Sequence, residues 1–357
     1  MKVMTILGTR PEIIRLSRVI PLIDKFSEHI VVHTGQNYDY TLNQIFFEEL
    51  NIREPNYWLD CKAKNSMSQI GKILEQTDEL METEKPDKIL ILGDTNSALS
   101  SLAAKRRGIK IYHMEAGNRC YNNNVPEEVN RKVIDHCSTI SLPYSERSRS
   151  NLLEEGIASN TIYVTGNPIK EVLDFYSPQI EQSQILKNLQ LEANTFFLVT
   201  LHRAENVDCP QRLKNFTTGL NEIAKTYNIP IVWSIHPHTR KNLETGENLH
   251  KLIKLIEPVG FFDFVHLEKF SKATLSDSGT VQEECSIFNI PNVTLRNETE
   301  RPETLECGSN ILSGAKPEDI IRSLKIALQK DTPWSPPQEY LVNNVSQKVL
   351  KILLGNS

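Results

Sequence analysis

The 357-residue chain has no stretch near the roughly 18 consecutive apolar residues that a membrane-spanning helix needs. Its first apolar run, Val3 to Leu7, is broken at once by Gly8, Arg10 and Glu12, so neither a membrane span nor a secretory leader is expected. A basic excess is missing too: 40 Lys and Arg stand against 45 Asp and Glu, a formal charge of −5. That balance supplies no positive field for nucleic acid or an anionic membrane surface, and neither is expected as a partner. The six cysteines, at positions 61, 120, 137, 209, 285 and 307, form no C-x-x-C pair and no finger spacing. This argues against a disulfide framework and structural zinc, and fits the reduced cytoplasm. No G-x-G-x-x-G fingerprint is present, which weakens the case for a nicotinamide or flavin enzyme.

With 39% hydrophobic and 24% charged residues, the chain has the apolar content to bury more than one core. Short apolar runs recur, each followed by turn residues and a stretch of helical period, the pattern of a doubly wound parallel sheet. Val3–Leu7 precedes Gly8-Thr9-Arg10-Pro11, Lys88–Leu92 precedes Gly93-Asp94-Thr95, and Thr195–Thr200 precedes Leu201-His202-Arg203. Ligand chemistry in such sheets belongs at the carboxyl ends of the strands. Near Pro168 the composition shifts into a polar, Gln-rich stretch, Ser177 to Asn194. We expect three parts: an N-terminal domain over 1–168, a C-terminal domain over 169–338, and a terminal segment over 339–357. In that segment Val342, Val345, Val349, Ile352 and Leu353 recur at helical spacing, which predicts a helix that packs on something.

Several polar groups fall at predicted strand ends. Arg10 sits at a strand-to-helix turn with Pro11 suited to the first helical position, an anion site or simply a tight turn with a solvated Arg. Asp277-Ser278-Gly279-Thr280 opens a helix where Gly279 permits close approach of a ligand. On that helix Val281, Cys285 and Phe288 share a face, and Glu284 lies at its rim. Pro126 to Arg131 reads as another helix start, with Val129 and Val133 on the apolar face and Glu127 beside Arg131 at the i, i+4 spacing. Asp94 reads equally as a helix cap, and with Glu115 and Glu127 it would crowd three carboxylates together, raising a pKa into the range of proton exchange. His202 and His236 lack a third metal ligand and serve better as phosphate partners, and Arg301 adds a guanidinium near a loop.

In order along the chain, Gly8-Thr9-Arg10-Pro11-Glu12, Gly93-Asp94-Thr95, His113-x-Glu115-Ala116-Gly117, Pro126-Glu127-Glu128-x-Asn130-Arg131, Gly166-Asn167, His202-Arg203, Asp277-Ser278-Gly279 with Gln282-Glu283-Glu284, and Glu300-Arg301-Pro302-Glu303 together resemble the non-hydrolysing UDP-N-acetylglucosamine 2-epimerases. The resemblance implies an α/β, glycosyltransferase-B-like fold of two Rossmann-like domains facing a central cleft. It implies a UDP-N-acetylhexosamine 2-epimerase that needs neither cofactor nor metal, a UDP-sugar substrate and a homodimer, in synthesis of surface polysaccharide precursors. By motif, Asp94, Glu115, Glu127, Arg131 and His202 become catalytic. Arg10, Arg15, His236, Ser278, Gly279, Glu284 and Arg301 become substrate-binding, with Arg10, His202, Ser278 and Gly279 at the diphosphate and Glu284 at the ribose. Three features depart from the family pattern: Arg15 in place of a lysine, Asn118-Arg119-Cys120-Tyr121, and a longer loop from Gly35 to Tyr40. They resemble the branch that makes UDP-N-acetyl-L-fucosamine from UDP-2-acetamido-2,6-dideoxy-L-talose. A glycosyltransferase of the same fold and a non-catalytic UDP-sugar sensor are the readings from other classes.

Overall fold

The computed structural model describes residues 1–35, 40–243, 249–329 and 333–355. The lengthened loop noted above lies largely outside the described residues, at 36–39. The chain divides into two compact α/β units, Met1–Phe175 together with Gln338–Ser357, and Tyr176–Pro337.

The first unit holds six parallel strands: β1 (Lys2–Leu7), β2 (Glu28–His33), β3 (Tyr57–Trp58), β4 (Lys88–Leu92), β5 (Lys110–Met114) and β6 (Ile140–Leu142). Their order is β3-β2-β1-β4-β5-β6. The second unit repeats the plan with β7 (Phe197–Leu201), β8 (Ile231–Ile235), β9 (Ile253–Ile256), β10 (Ala273–Ser276), β11 (Asn292–Thr294) and β12 (Asn310–Leu312), ordered β12-β11-β10-β7-β8-β9. Read from either end, both follow the 3-2-1-4-5-6 order of the Rossmann fold. Strand β4, Lys-Ile-Leu-Ile-Leu, is buried at every position, as a strand covered on both faces must be. Its register against β1 pairs Val3 with Lys88 and Ile6 with Ile91. In the second unit Thr200 pairs with Ser276 across β7 and β10, and the core gathers around Phe197, Phe216 and Trp233.

The division falls after Phe175 rather than at Pro168, because the helix Ile169–Phe175 buries Ile169, Val172 and Leu173 within the first unit. The Gln-rich stretch is no open linker. It forms two short helices, Ser177–Glu181 and Ile185–Asn188, and Ile185 and Leu191 pack on Phe196, Leu198 and Leu267. The terminal helix Val345–Leu354 buries Val345, Val349 and Leu353, one face at i, i+4, i+8. The Glu171 carboxylate accepts from Ser346 N–H at 2.9 Å at its start. At its end Lys88 Nζ donates to the carbonyls of Leu353 (2.6 Å) and Gly355 (2.8 Å), so a cation meets the negative end of the helix dipole.

Candidate active site

In each sheet the direction of strand addition reverses at the centre, and ligands of open α/β sheets bind outside the carboxyl ends of the two strands that flank this reversal. In the first unit these strands are β1 and β4, followed by Gly8–Glu12 and Gly93–Thr95. In the second they are β7 and β10, followed by His202–Asn206 and Asp277–Gly279. Arg10, Asp94, His202, Ser278 and Gly279 therefore all fall at the topological switch point of their own unit. Glu115 lies one strand further on, after β5, and His236 follows β8.

Glu115 leaves β5 in a left-handed conformation, φ +67°, a strained choice for a residue with a side chain and one that clusters at functional sites. Its carboxylate pairs with buried Arg15, whose Nη1 also lies 3.3 Å from the Tyr144 hydroxyl. Gly93, at φ +73°, makes the turn into Asp94, and a Cβ there would lie 3.9 Å from Glu115 Oε1. Asp94 Oδ2 accepts from Arg131 Nε at 2.8 Å. The carboxylates are thus not left to repel one another as expected: Asp94 and Glu115 each have a guanidinium of their own. Burial brings another carboxyl of this unit, Glu12, up to about 7. It accepts from Gly8 N–H (3.0 Å) and from the hydroxyls of Thr9 (2.7 Å) and Thr95 (3.1 Å).

The helix Pro126–Cys137 departs from its expected reading. Val129 and Val133 are exposed, at 49% and 37%, while Glu128, Asn130, Arg131, Ile134 and Asp135 are buried. The inward face is an ion-paired one, so the apolar pattern points outward. Arg131 pairs not with Glu127 but with Glu128, Nη1 to Oε2 at 2.7 Å, and with Asp94. Glu128 also accepts from the N–H groups of Cys120 and Tyr121, both at 3.0 Å. Against the upward push of burial, these donors and Arg131 hold its carboxyl below the usual range. Glu127 is half-buried on the same helix. Asp135, one turn beyond Arg131, accepts from His113 Nδ1 (2.9 Å), Arg119 Nη2 (2.8 Å) and Gly117 N–H (3.2 Å). The other His113 nitrogen meets the Gly93 carbonyl at 2.8 Å. A single buried carboxylate therefore anchors the turns beside both Asp94 and Glu115.

In the second unit Asp277 plays the part that Glu12 plays in the first. It accepts from the N–H groups of His202 (3.1 Å) and Arg203 (2.9 Å) and from Asn206 Nδ2 (3.0 Å), tying the β7 loop to the β10 loop. Burial alone would raise its carboxyl, but the adjacent His202 ring and these donors bring it to about 2. His202 is half exposed, its Nδ1 3.1 Å from Asp277 Oδ1. Gly279 begins the helix Gly279–Phe288, and a Cβ there would lie 2.5 Å from Glu300 Oε1, so no other residue fits without displacing that carboxylate. Arg296 Nη1 and Arg203 Nη2 lie 2.9 and 3.8 Å from Glu300. Arg301 is buried, with Nε 2.5 Å from Glu283 Oε1. Glu284 is buried rather than at a rim. Burial and the neighbouring Glu284 push the Glu268 carboxyl well up. Arg10 and His236 are exposed, and the Arg10 guanidinium lies 5.5 Å from the Phe46 ring centroid.

Glu12, Glu128, Asp135, Asp277 and Glu300 were not singled out from the sequence as site residues. Glu12 had a signal, the Thr9-x-x-Glu12 spacing of a capping box; the others depend on which loops the topology brings together.

A family model described as UDP-N-acetylglucosamine 2-epimerase matches residues 23–354. The UDP-N-acetylglucosamine 2-epimerase of Methanocaldococcus jannaschii is 42% identical over 350 residues, covering 94% of this chain and 95% of that one. The UDP-2,3-diacetamido-2,3-dideoxy-D-glucuronate 2-epimerase of Pseudomonas aeruginosa is 36% identical over 336 residues, 92% and 93% of the two chains. The crystal structure of the M. jannaschii UDP-GlcNAc 2-epimerase in complex with UDP-GlcNAc and UDP matches with a TM-score of 0.92 at 40% identity, covering 99% of each chain. At 10% identity and a TM-score of 0.60, Phytolacca americana UGT2 shares the fold alone, over 100% of this chain and 96% of that one. The two-unit α/β fold is accordingly glycosyltransferase-B-like.

Proposed function

The chain belongs to the UDP-N-acetylglucosamine 2-epimerase family, and from that premise we propose that it inverts C2 of a UDP-N-acetylhexosamine, interconverting UDP-GlcNAc and UDP-ManNAc for surface polysaccharide synthesis. It is an enzyme, an isomerase. No carbonyl within the ring activates the hydrogen on C2, so direct deprotonation is too slow. Breaking the C1–O bond to UDP develops oxocarbenium character that acidifies C2–H. A carboxylate takes that proton, leaving a 2-acetamidoglycal and UDP. Protonation of C2 on the opposite face and return of UDP to C1 complete the inversion.

Two tasks follow for the side chains. Arg10, His202, Arg301, Ser278 and the Gly279 N–H are assigned to the charge that develops on the diphosphate, a task commonly worth several kcal/mol. Glu284 is assigned to the ribose, and His236 and Arg15 to the substrate, Arg15 through its bond to Glu115. Asp94, Glu115 and Glu127 are assigned the protons, each worth about 10²–10⁴-fold when well placed, with Arg131 beside them. The observation that carries this reading is the pairing of Asp94 with Arg131 and Glu115 with Arg15 at adjacent strand ends: two carboxyl groups, each fixed by a guanidinium, can serve as the base that takes the proton from one face of C2 and the protonated acid that returns one to the other. The relatives' names favour UDP-GlcNAc over the 6-deoxy-L-talose nucleotide. We also assign a homodimer and the cytoplasm.

Proton NMR in D₂O tests the proposal, with UDP-GlcNAc and UDP-2-acetamido-2,6-dideoxy-L-talose in parallel and no acceptor present. Deuterium entry at C2 of UDP-GlcNAc with appearance of UDP-ManNAc is expected. Turnover only with an acceptor would show a transferase, and saturable UDP binding without C2 exchange would show a sensor.

A further inference from the structure

Each unit braces its switch point with one buried carboxylate, and the two braces differ in kind. Asp277 faces an imidazole ring, with His202 Nδ1 at 3.1 Å. Glu12 meets neutral donors: the peptide N–H groups of Gly8 and Thr9 and the hydroxyls of Thr9 and Thr95. Arg15, on the same helix, is turned to Glu115. Gly8 and Thr9 precede Arg10 on the β1 loop, and Thr95 follows Asp94 on the β4 loop. These bonds therefore tie together the two loops on which Arg10 and Asp94 are carried.

We propose that Glu12 is a positioning residue for the epimerisation, its ionised carboxylate locking the β1 loop to the β4 loop so that Asp94 is held in its proton-transfer geometry. The inference rests on the proposed epimerase reading. An ionised carboxylate accepts from all of these donors at once, whereas a protonated one carries a hydrogen that must be donated, which costs it a peptide N–H bond or reverses the direction of a hydroxyl's. Burial brings this carboxyl to about 7, so the share of molecules whose brace is ionised grows across the neutral range. Glu12 touches no reacting atom in this account, and the nucleotide contacts assigned to the second unit are left intact by its loss.

The test compares wild type with Glu12→Gln, Glu12→Asp and Thr95→Val in the D₂O assay, with kcat and KM followed from pH 5.5 to 8.5. Glu12→Gln points an amide at a set of donors. It is expected to lower kcat about 10- to 100-fold, to change KM less than about threefold, and to lose a rise in kcat near neutral pH that wild type shows. Glu12→Asp, which keeps the charge, should recover part of kcat and the rise. Thr95→Val, which removes one donor without changing shape, should lower kcat severalfold in a fully folded protein. Wild-type kcat in both Glu12→Gln and Thr95→Val, or a Glu12→Gln profile that keeps the wild-type rise, overturns the proposal. Absence of C2 exchange in wild type would instead sink the epimerase reading itself.

Discussion

Arg131 Nε lies 2.8 Å from Asp94 Oδ2 while its Nη1 lies 2.7 Å from Glu128 Oε2, so one guanidinium joins a half-open carboxylate at a strand end to a fully buried one on the helix. The fork of donors makes the double engagement possible, and an ammonium cannot reproduce it. Arg131→Lys is expected to fold and to lose at least about tenfold in turnover. Arg131→Met leaves Glu128 buried without its cation, a loss on the order of 3 kcal/mol, and should lower both turnover and the thermal midpoint by calorimetry.

The same accounting separates the two paired carboxylates. Asp94 has a side chain 23% exposed and its cation keeps a second partner in Glu128, so Asp94→Asn should cost under about 1 kcal/mol of stability. Arg15 and Glu115, by contrast, are 2% and 9% exposed, and Glu115→Gln removes the charge that faces a buried guanidinium, at a cost of roughly 3 kcal/mol. Both variants are expected to lose C2 exchange by about 10²-fold or more. Urea titration beside the NMR assay checks the contrast; equal stabilities would show that Arg15 does not depend on Glu115.

How far the sequence was readable depended on which kind of order each element uses. Strands such as Lys2–Leu7 and Lys88–Leu92 were legible because central parallel strands are continuous apolar runs, and the loops after them inherited the expectation of chemistry. The helix Pro126–Cys137 was misread for the opposite reason: periodicity identifies a buried face by its apolar residues, and this helix buries Glu128, Arg131 and Asp135. Ion pairs that satisfy one another across loops leave no periodic trace. The bracing role of Asp277 was equally hidden, since it exists only because β7 and β10 are neighbours.

Opposite pH dependences follow from the two bracing carboxylates. Glu12 is raised from 4.5 to about 7, so the folded state binds its proton more tightly than the unfolded one. Its contribution is fully present below pH 4.5 and is lost as pH rises towards 7, a fall on the order of 3 kcal/mol. Asp277 is lowered from 3.8 to about 2, so its contribution is present above pH 3.8 and disappears as pH falls to 2, on the order of 2 kcal/mol. Chemical unfolding between pH 4 and 8 should show the neutral-range slope in wild type and lack it in Glu12→Gln; an unchanged slope would assign it to another group.

Gly279 should tolerate no side chain. A methyl group 2.5 Å from Glu300 Oε1 must displace a carboxylate to which Arg296 and Arg203 are directed, and the start of the helix moves with it. Gly279→Ala is expected to weaken UDP binding at least about tenfold by titration calorimetry, with C2 exchange restored in part at saturating substrate. Unchanged UDP affinity would remove this turn from the nucleotide site.

Lys88 carries the attachment of the chain's last helix. Its Nζ donates to Leu353 O and Gly355 O and lies 5.1 Å from the Tyr112 ring centroid, in a side chain left 5% exposed. Replacement by Met keeps the aliphatic stem but removes both hydrogen bonds and the charge at the helix's carboxyl end, about 1–2 kcal/mol together. The loss should be local, because Val345, Val349 and Leu353 still pack on the first unit and Glu171 still holds the start of the helix at Ser346. Hydrogen exchange of the amides in Val345–Leu354 is therefore expected to quicken about tenfold in Lys88→Met while the strands β7 to β12 exchange as in wild type. Acceleration spread evenly over both units would mean that Lys88 supports the core of β4 and not the helix.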